Sequence, residues 1–400
     1  MEEESRAFYA VKVPLDPSPS QEIQFKSHAG GSRFAYNAAL AHIKAQLDER
    51  KKQQEAGVDK KDLIRIDNNM ISLGRLWRDN RDEIAPWHAE NYSHMYNCAF
   101  QNLANASKNF LQSLTGKRKG ERVAFPRFKK RSSTKTFAFP DSVRVADDHG
   151  IRLPKIGRVH TLRNVRKLVG DRKIKTTTVK FEGGRWYASL LCETIVTTQE
   201  KKRHQKTVGV DLGIKELATL SDGVVFHNPA PLREAKRRLA HAQRALARKE
   251  KGSNHYFEQQ QKVNRIYARV RFLRNNTIHQ LTAYLTDHYT DIYIEDLNVK
   301  GMLKNHGIAG ALSDAALAEI RRQLEYKANK KGVRIHVIDR FYPSTKTCSG
   351  CGSVKDQMSL SERTYLCDRC GLEIDRDLNA AINIERKGLE ELGQNSNQVD

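Results

Sequence analysis

Apolar and polar positions alternate from Phe8 to Val13, which predicts a short strand; Pro14, Pro17 and Pro19 then break it into a linker. From Gln21 to about residue 115 the period is helical. Phe34, Ala38 and Ile43 recur in one segment, and Met95, Ala99, Leu103, Ala106 and Phe110 share one face of another. Strand alternation returns from Phe137 to Cys192, clearest in Lys173 to Phe181 and Arg185 to Cys192, with Glu182-Gly183-Gly184 as their turn. Together with the strand at 8–13 these make a small β-barrel interrupted by a helical insertion.

A third domain starts near Lys206. Val208 to Leu220 reads as two strands, and Ser221-Asp222-Gly223 turns the chain into Val224-Val225-Phe226. Residues 232–286 read as two helices, with Val263, Ile266, Val270, Leu273, Thr277 and Leu285 on one period. Ile292 to Leu297 is a strand ending in carboxylates. Ser313 caps a helix carrying Leu317, Ile320, Leu324 and Ala328 that stops at Gly332, and Val333 to Asp339 is another strand. A last helix runs from about Leu378 to Leu392, before a polar tail.

Three acids stand at ends of these elements: Asp211, Glu295 and Asp377. Hydrolysis of a phosphodiester by two Mg²⁺ ions needs such hard oxygen ligands, one ion activating water and the other stabilising the leaving oxygen. Each acid alone is as readily a turn cap or a solvated strand end. Their order (strand-Asp, hairpin, strand-Glu, helix-Asp) is that of a mixed sheet of the ribonuclease H type. Asp375 is a neighbouring ligand candidate beside Asp377.

Between the last two acids lie Cys348-Ser-Gly-Cys351 and Cys367-Asp-Arg-Cys370, two Cys-x2-Cys pairs separated by fifteen residues. That spacing lets four thiolates converge on one Zn²⁺ as a zinc ribbon, and Gly352 and Gly371 suit the turn after each second sulfur. The alternative is two disulfides, but nothing else in the chain looks secreted. Four protein ligands close the shell of a structural zinc, so hydrolysis belongs to the acids. Cys98 and Cys192, among apolar neighbours, read as small buried hydrophobes.

Charge changes the picture most. Seventy Lys and Arg against 47 Asp and Glu give +23, which predicts a polyanionic partner held through phosphate contacts. No apolar run is long enough to cross a membrane, and Met1-Glu-Glu-Glu-Ser lacks the start of a signal peptide, so the expectation is a soluble, cytoplasmic protein. Lys117, Arg118, Lys119, Arg122, Arg127, Lys129, Lys130 and Arg131 surround Phe125-Pro-Arg-Phe128, and Arg237, Arg238, Arg244 and Arg248 lie on the outer face of a helix. Charge runs also make solvated loops and salt-bridged hairpins, but interleaved aromatics and a shortage of nearby acids favour nucleic acid.

Gly209-Val-Asp211-Leu-Gly213-Ile, Ile294-Glu295-Asp-Leu297, Pro343-Ser-Thr-Lys-Thr-Cys348-Ser-Gly-Cys351-Gly and Asp375-Arg-Asp377-Leu-Asn379-Ala-Ala-Ile-Asn383-Ile resemble the motifs of the TnpB family. So do Arg33-Phe-Ala-Tyr36-Asn37 and Phe125-Pro-Arg-Phe128-Lys-Lys-Arg, so that the resemblance spans nearly the whole chain. Members are transposon-encoded, RNA-guided DNA endonucleases related to type V CRISPR effectors. The resemblance implies an α/β multidomain protein: a wedge β-barrel at 1–16 and 122–204, a helical recognition domain at 17–121, and an RNase H-like RuvC nuclease domain at 205–339 and 373–394. An inserted four-cysteine zinc-ribbon lobe would occupy 340–372 and a tail 395–400. It further implies a guide RNA from the transposon end, a target DNA duplex opened beside a short adjacent motif, and a monomer on one RNA. Asp211, Glu295 and Asp377 carry over as catalytic acids, the family's second aspartate being the catalytic one. Arg363 resembles an arginine that handles the scissile strand, with a rim salt bridge as its alternative, and Asn97 lies on the helix that reads the adjacent motif. All three acid positions are filled, against a nuclease-inactive regulator; a transposition accessory factor would bind without a specific small RNA.

Overall fold

The computed structural model describes residues 4–118, 120–131, 135–197, 206–297, 301, 310, 312, 315–359 and 362–396. The chain divides into two compact units, Met1–Gln199 and Glu200–Asp400.

In the first unit, β1 (Glu4–Asp16) is longer than the alternation indicates and runs through Pro14. The carbonyl of Pro14 accepts from the Leu162 N–H at 3.0 Å, on the side where the ladder to a later strand begins only at Leu15. A strand residue's N–H and C=O point to the same neighbour, so the donor that proline lacks falls where no ladder needs it. Ser18 then caps α1 (Pro19–Glu55), its hydroxyl accepting from the Gln21 N–H while the Gln21 side chain accepts from the Ser18 N–H. Pro19 therefore opens a helix instead of closing a linker.

After α1 come α2 (Met70–Ile84), a 3-10 turn (Pro86–Glu90) and α3 (Met95–Leu114). The chain then returns to strands: β2 (Thr136–Phe139), β3 (Arg144–Asp147), β4 (Gly150–Leu153) and β5 (Gly157–Thr161). A short α4 (Val165–Val169) precedes β6 (Lys173–Glu182) and β7 (Arg185–Thr197). The seven strands form one antiparallel sheet in the order β2-β6-β7-β1-β5-β4-β3. Among the described residues no ladder joins its edges, β2 and β3. Helices and sheet share one core, in which Phe25 of α1 meets Trp186 at 5.0 Å and Phe137 at 5.7 Å between ring centroids.

The second unit holds β8 (Thr207–Asp211), β9 (Glu216–Leu220), β10 (Val225–His227), α5 (Pro231–Ala247), α6 (Asn254–His288) and β11 (Asp291–Glu295). Then follow α7 (Leu317–Lys331), β12 (Arg334–Ile338), β13 (Thr364–Leu366), β14 (Glu373–Asp375) and α8 (Arg376–Ser396). The expected cap Ser313 lies outside the described residues, whereas Gly332 ends α7 at a φ of 67° as its position suggests. The five-stranded sheet has the order β10-β9-β8-β11-β12, antiparallel across its first three strands and parallel across its last three.

Period-two alternation sorts this sheet's residues. Val208, Val210, Ile292 and Ile294 join Leu281, Leu285, Ile320 and Leu324 of α6 and α7 in one core. Gly209, Asp211, Tyr293 and Glu295 therefore take the opposite face, and α8 covers that face.

Candidate functional site

β8 and β11 are parallel neighbours in the register Asp291↔Thr207 to Ile294↔Val210. One further step sets Asp211 beside Glu295, on adjacent strands about 4.8 Å apart and on the same face. Burial, reinforced by the negative charges of Glu295 and Asp377, pushes the Asp211 carboxyl up to about 7, with Arg376 pulling the other way. Glu295 is also pushed up by burial, offset by the Ser344 hydroxyl, which donates to its Oε1 at 2.5 Å. Asp296, the next residue, is held by Arg321 at 3.0 Å and by Arg340, and these guanidinium groups lower its pKa.

α8 reaches the acids because Gly209 lets it. A Cβ there would stand 2.1 Å from the Ala381 carbonyl oxygen and 2.7 Å from the Glu385 nitrogen. Thr207, two residues earlier on the same face, donates to Glu385 at 2.5 Å. The helix thus runs antiparallel to β8. Four helical residues back from Ala381 cover about 6 Å, and two strand residues on from Gly209 cover about 6.6 Å, so Asp377 arrives over Asp211.

Asp375 and Asp377 do different things. Asp375 Oδ1 accepts from the N–H groups of Asp377 and Leu378 at 2.9 and 3.0 Å, capping the first turn of α8. Asp377 is half-buried and accepts from Arg376 Nε and Nη2 at 3.1 and 3.0 Å. The Arg376 guanidinium also donates to the Glu362 carbonyl, and its backbone N–H to the Arg363 carbonyl at 2.8 Å. Arg363 is thereby placed next to the Asp377 turn, with its side chain exposed.

The cysteines converge. All four sulfurs lie within 4.8 Å of one another, with Cys348 to Cys370 and Cys351 to Cys367 each at 3.6 Å. A tetrahedron of Zn–S bonds near 2.3 Å needs sulfurs about 3.8 Å apart, so the cluster fits zinc, whereas a disulfide needs about 2.05 Å. The two turns are built alike: Cys348 N–H donates to Ser353 O and Gly352 N–H to Cys348 O, while Cys367 N–H donates to Leu372 O and Gly371 N–H to Cys367 O. Gly352 and Gly371 have φ of 75° and 72°, as the spacing implies. Among the described residues this is the one group of three or more potential ligand side chains gathered so closely; the acids are spread wider, with Glu295 held by Ser344 and Asp377 by Arg376.

α8 also clasps the cysteine lobe through residues to which sequence reasoning gave no role. Asn379 donates to Thr347 O and accepts from the Ser349 N–H, and Asn383 donates to Ser344 O and Thr347 O. Both asparagines are fully buried. Their regular spacing inside Asp-Leu-Asn-Ala-Ala-Ile-Asn, one helical turn apart, was the available signal.

The basic candidates scatter. Lys117, Arg127, Lys130 and Arg131 are exposed, Arg118 donates to Glu121 O, and Lys119 lies outside the described residues. Lys129 is turned inward over the Tyr36 ring at 3.8 Å, its backbone gripped by Asn37, so two distant motif segments meet there. Asn97 is exposed on α3. Arg237, Arg238 and Arg244 are exposed on α5 and Arg248 is exposed just past its end; the first two line a groove of about 500 Å³ against α6.

A half-buried carboxylate pair on a mixed sheet, met by a helix that also grips a four-cysteine lobe, is the arrangement this unit presents. Family models match the chain at three places: "Probable transposase" at residues 189–306, "Cas12f1-like, TNB domain" at 318–384 and "Helix-turn-helix domain" at 9–52. The last span is here a strand and one uninterrupted helix. A Streptomyces pristinaespiralis protein named "Putative RNA-guided DNA endonuclease" is 33% identical over 392 residues, covering 97% of this chain and 90% of that protein. The Escherichia coli (strain K12) protein "Putative RNA-guided DNA endonuclease InsQ" is 30% identical over 401 residues, covering 95% and 92%. A solved Cas12f1-sgRNA-target DNA complex aligns over 95% of this chain and 99% of that one, at 11% identity and a TM-score of 0.47. The chain belongs to the TnpB family.

Proposed function

We propose that this chain is a transposon-encoded, RNA-guided DNA endonuclease that cuts a target duplex beside a short transposon-adjacent motif. The observation that carries the reading is the register of β8 and β11, which sets Asp211 against Glu295 beneath the first turn of α8. In this reading the second unit is a RuvC-type nuclease domain with the β10-β9-β8-β11-β12 order of a ribonuclease H sheet. Asp211, Glu295 and Asp377 hold two Mg²⁺ ions, and Cys348, Cys351, Cys367 and Cys370 hold a structural Zn²⁺. Asp211, pushed toward neutrality by burial and by the charges of Glu295 and Asp377, and Glu295, pushed the same way by burial, suit divalent cations, whose charge relieves both. Bound Mg²⁺ supplies charge neutralisation and an activated water, giving 5′-phosphate and 3′-hydroxyl ends.

The protein's own groups do the positioning. Ser344 orients Glu295, Asp375 caps the turn that presents Asp377, and Arg376 fixes the Asp377 rotamer. The first unit serves as the wedge barrel with its helical recognition insertion, on the domain boundaries given above. Its basic segment at 117–131 and the arginines of α5 follow nucleic-acid backbone, Asn97 faces the adjacent motif, and Arg363 faces the scissile strand. A guide RNA from the transposon end reads sequence by base pairing, with one monomer on one RNA. Asp211→Ala should leave RNA and target retention unchanged and abolish cleavage in Mg²⁺; cleavage at the wild-type rate would remove the assignment of the acids.

A further inference from the structure

Phe341 is 84% exposed, the most exposed of the large apolar side chains among the described residues. Its neighbours are all fastened. Asp339 accepts from the Phe341 N–H at 2.9 Å, Arg340 binds the Asp296 carboxylate, Tyr342 packs with Tyr293, Ile338 and Ile384, and Ser344 donates to Glu295. The segment is therefore an arch whose feet, Ser344 and Arg340, stand on Glu295, the last residue of β11, and on Asp296 just after it, and whose outermost point is an aromatic ring. Beside it a cavity of about 370 Å³ opens, bounded by Glu295 and Arg340 and floored by Leu212, Leu297 and Leu317. An apolar ring in water loses stabilisation unless something covers it. Arg321 and Arg322 share the lining of this cavity with Arg340, beside the carboxylates of Glu295 and Glu325.

We propose that Phe341 is a stacking platform for an unpaired base of the DNA strand being cut, holding the nucleotide next to the scissile phosphate on the rim of the acid cluster. The proposal rests on the endonuclease reading above. Every base offers a π-face, so such a platform grips single strands without choosing sequence. A duplex hides those faces, so the platform also favours strand that the guide RNA has displaced or unpaired.

The test uses the full chain purified with its RNA, on targets carrying one abasic nucleotide at successive positions around the cut. On intact target, Phe341→Ala should raise KM or slow cleavage about tenfold, and Phe341→Trp should stay within about threefold of wild type. At one abasic position the wild type should fall to the level of Phe341→Ala, and the substitution should then cost nothing more. Equal cleavage by wild type and Phe341→Ala on intact target, or a penalty that persists at every abasic position, overturns the proposal. If the wild type cuts no target, the reading of the acids fails instead. Binding of single-stranded oligonucleotides then decides: about tenfold weaker binding by Phe341→Ala, lost at an abasic site, supports the platform, and equal binding overturns it.

Discussion

The Ala381 carbonyl oxygen sits where a Cβ on Gly209 would be only 2.1 Å away, so helix α8 rests on the bare backbone of strand β8. No side chain other than hydrogen fits that contact, and the same contact sets how far Asp377 stands from Asp211. Gly209→Ala should push α8 off the sheet, costing roughly 1–3 kcal/mol as overpacking does. Cleavage should fall by more than the loss of folded protein accounts for, because the acids separate. Thermal melts run beside single-turnover cleavage would separate the two effects, and a variant with wild-type melting and wild-type cleavage would show that α8 has slack at this point.

Ser344 links the cysteine lobe to the acids, and its hydroxyl is the group through which Glu295 is aimed. Ser344→Ala removes one hydrogen bond to a half-buried carboxylate, worth about 1.5–3 kcal/mol. The expected outcome is a drop in kcat of about tenfold and a higher Mg²⁺ requirement, with zinc content and melting temperature nearly unchanged. Ser344→Thr, which keeps the hydroxyl, should recover part of the rate. A Mg²⁺ titration that superimposes on wild type would mean that Glu295 holds its position unaided.

Much of this site could be read before any coordinates. Alternation in Val208-Gly-Val-Asp211 and Ile292-Tyr-Ile-Glu295 reports which residues share a face, and Cys-x2-Cys spacing reports a local turn that few other residues influence. What escaped depends on partners far along the chain. Pro14 stays in a strand because its missing donor faces the side on which the β5 ladder has not yet begun, which no window around Pro14 contains. Asp375 and Asp377 are chemically identical, so apart from the family resemblance no local pattern separates them, and the capping role of Asp375 shows only in its hydrogen bonds at the start of α8. Ser344 is 49 positions from Glu295, a contact without local signal in a single sequence.

A buried carboxylate at the other end of β11 makes acid stability testable. Asp291, 1% exposed at the start of β11, would be raised by burial, but Arg334 in two hydrogen bonds, His336 and the Thr290 hydroxyl outweigh this and hold it down at about 2. A carboxyl whose folded pKa lies below its unfolded value of about 3.9 stabilises the fold above that value. The contribution, on the order of 2 kcal/mol, drains away as pH falls from about 4 toward 2. Asp291→Asn should therefore lower the melting temperature at neutral pH and flatten the acid limb of the stability profile. A variant whose acid limb keeps the wild-type slope would locate that sensitivity in other carboxylates.

Removing the metal from the cysteine lobe should reach the acids through α8. Without a cation the four sulfurs have no reason to stay within 4.8 Å, and the two turns that carry them lose the ligand that closes each. The first turn is also where Asn379 and Asn383 dock, and Ser344 begins that segment, so its loosening frees both the helix and Glu295. Elemental analysis should find one zinc per chain. Chelation should release four thiols that react quickly, while Cys192, buried, and Cys98, whose thiol burial pushes up to about 11, react slowly. Cleavage should then fail even with Mg²⁺ in excess, and return when zinc is restored. Thiols that react equally fast before and after chelation would mean that the lobe holds its shape without metal, and the path from zinc to Glu295 would have to be abandoned.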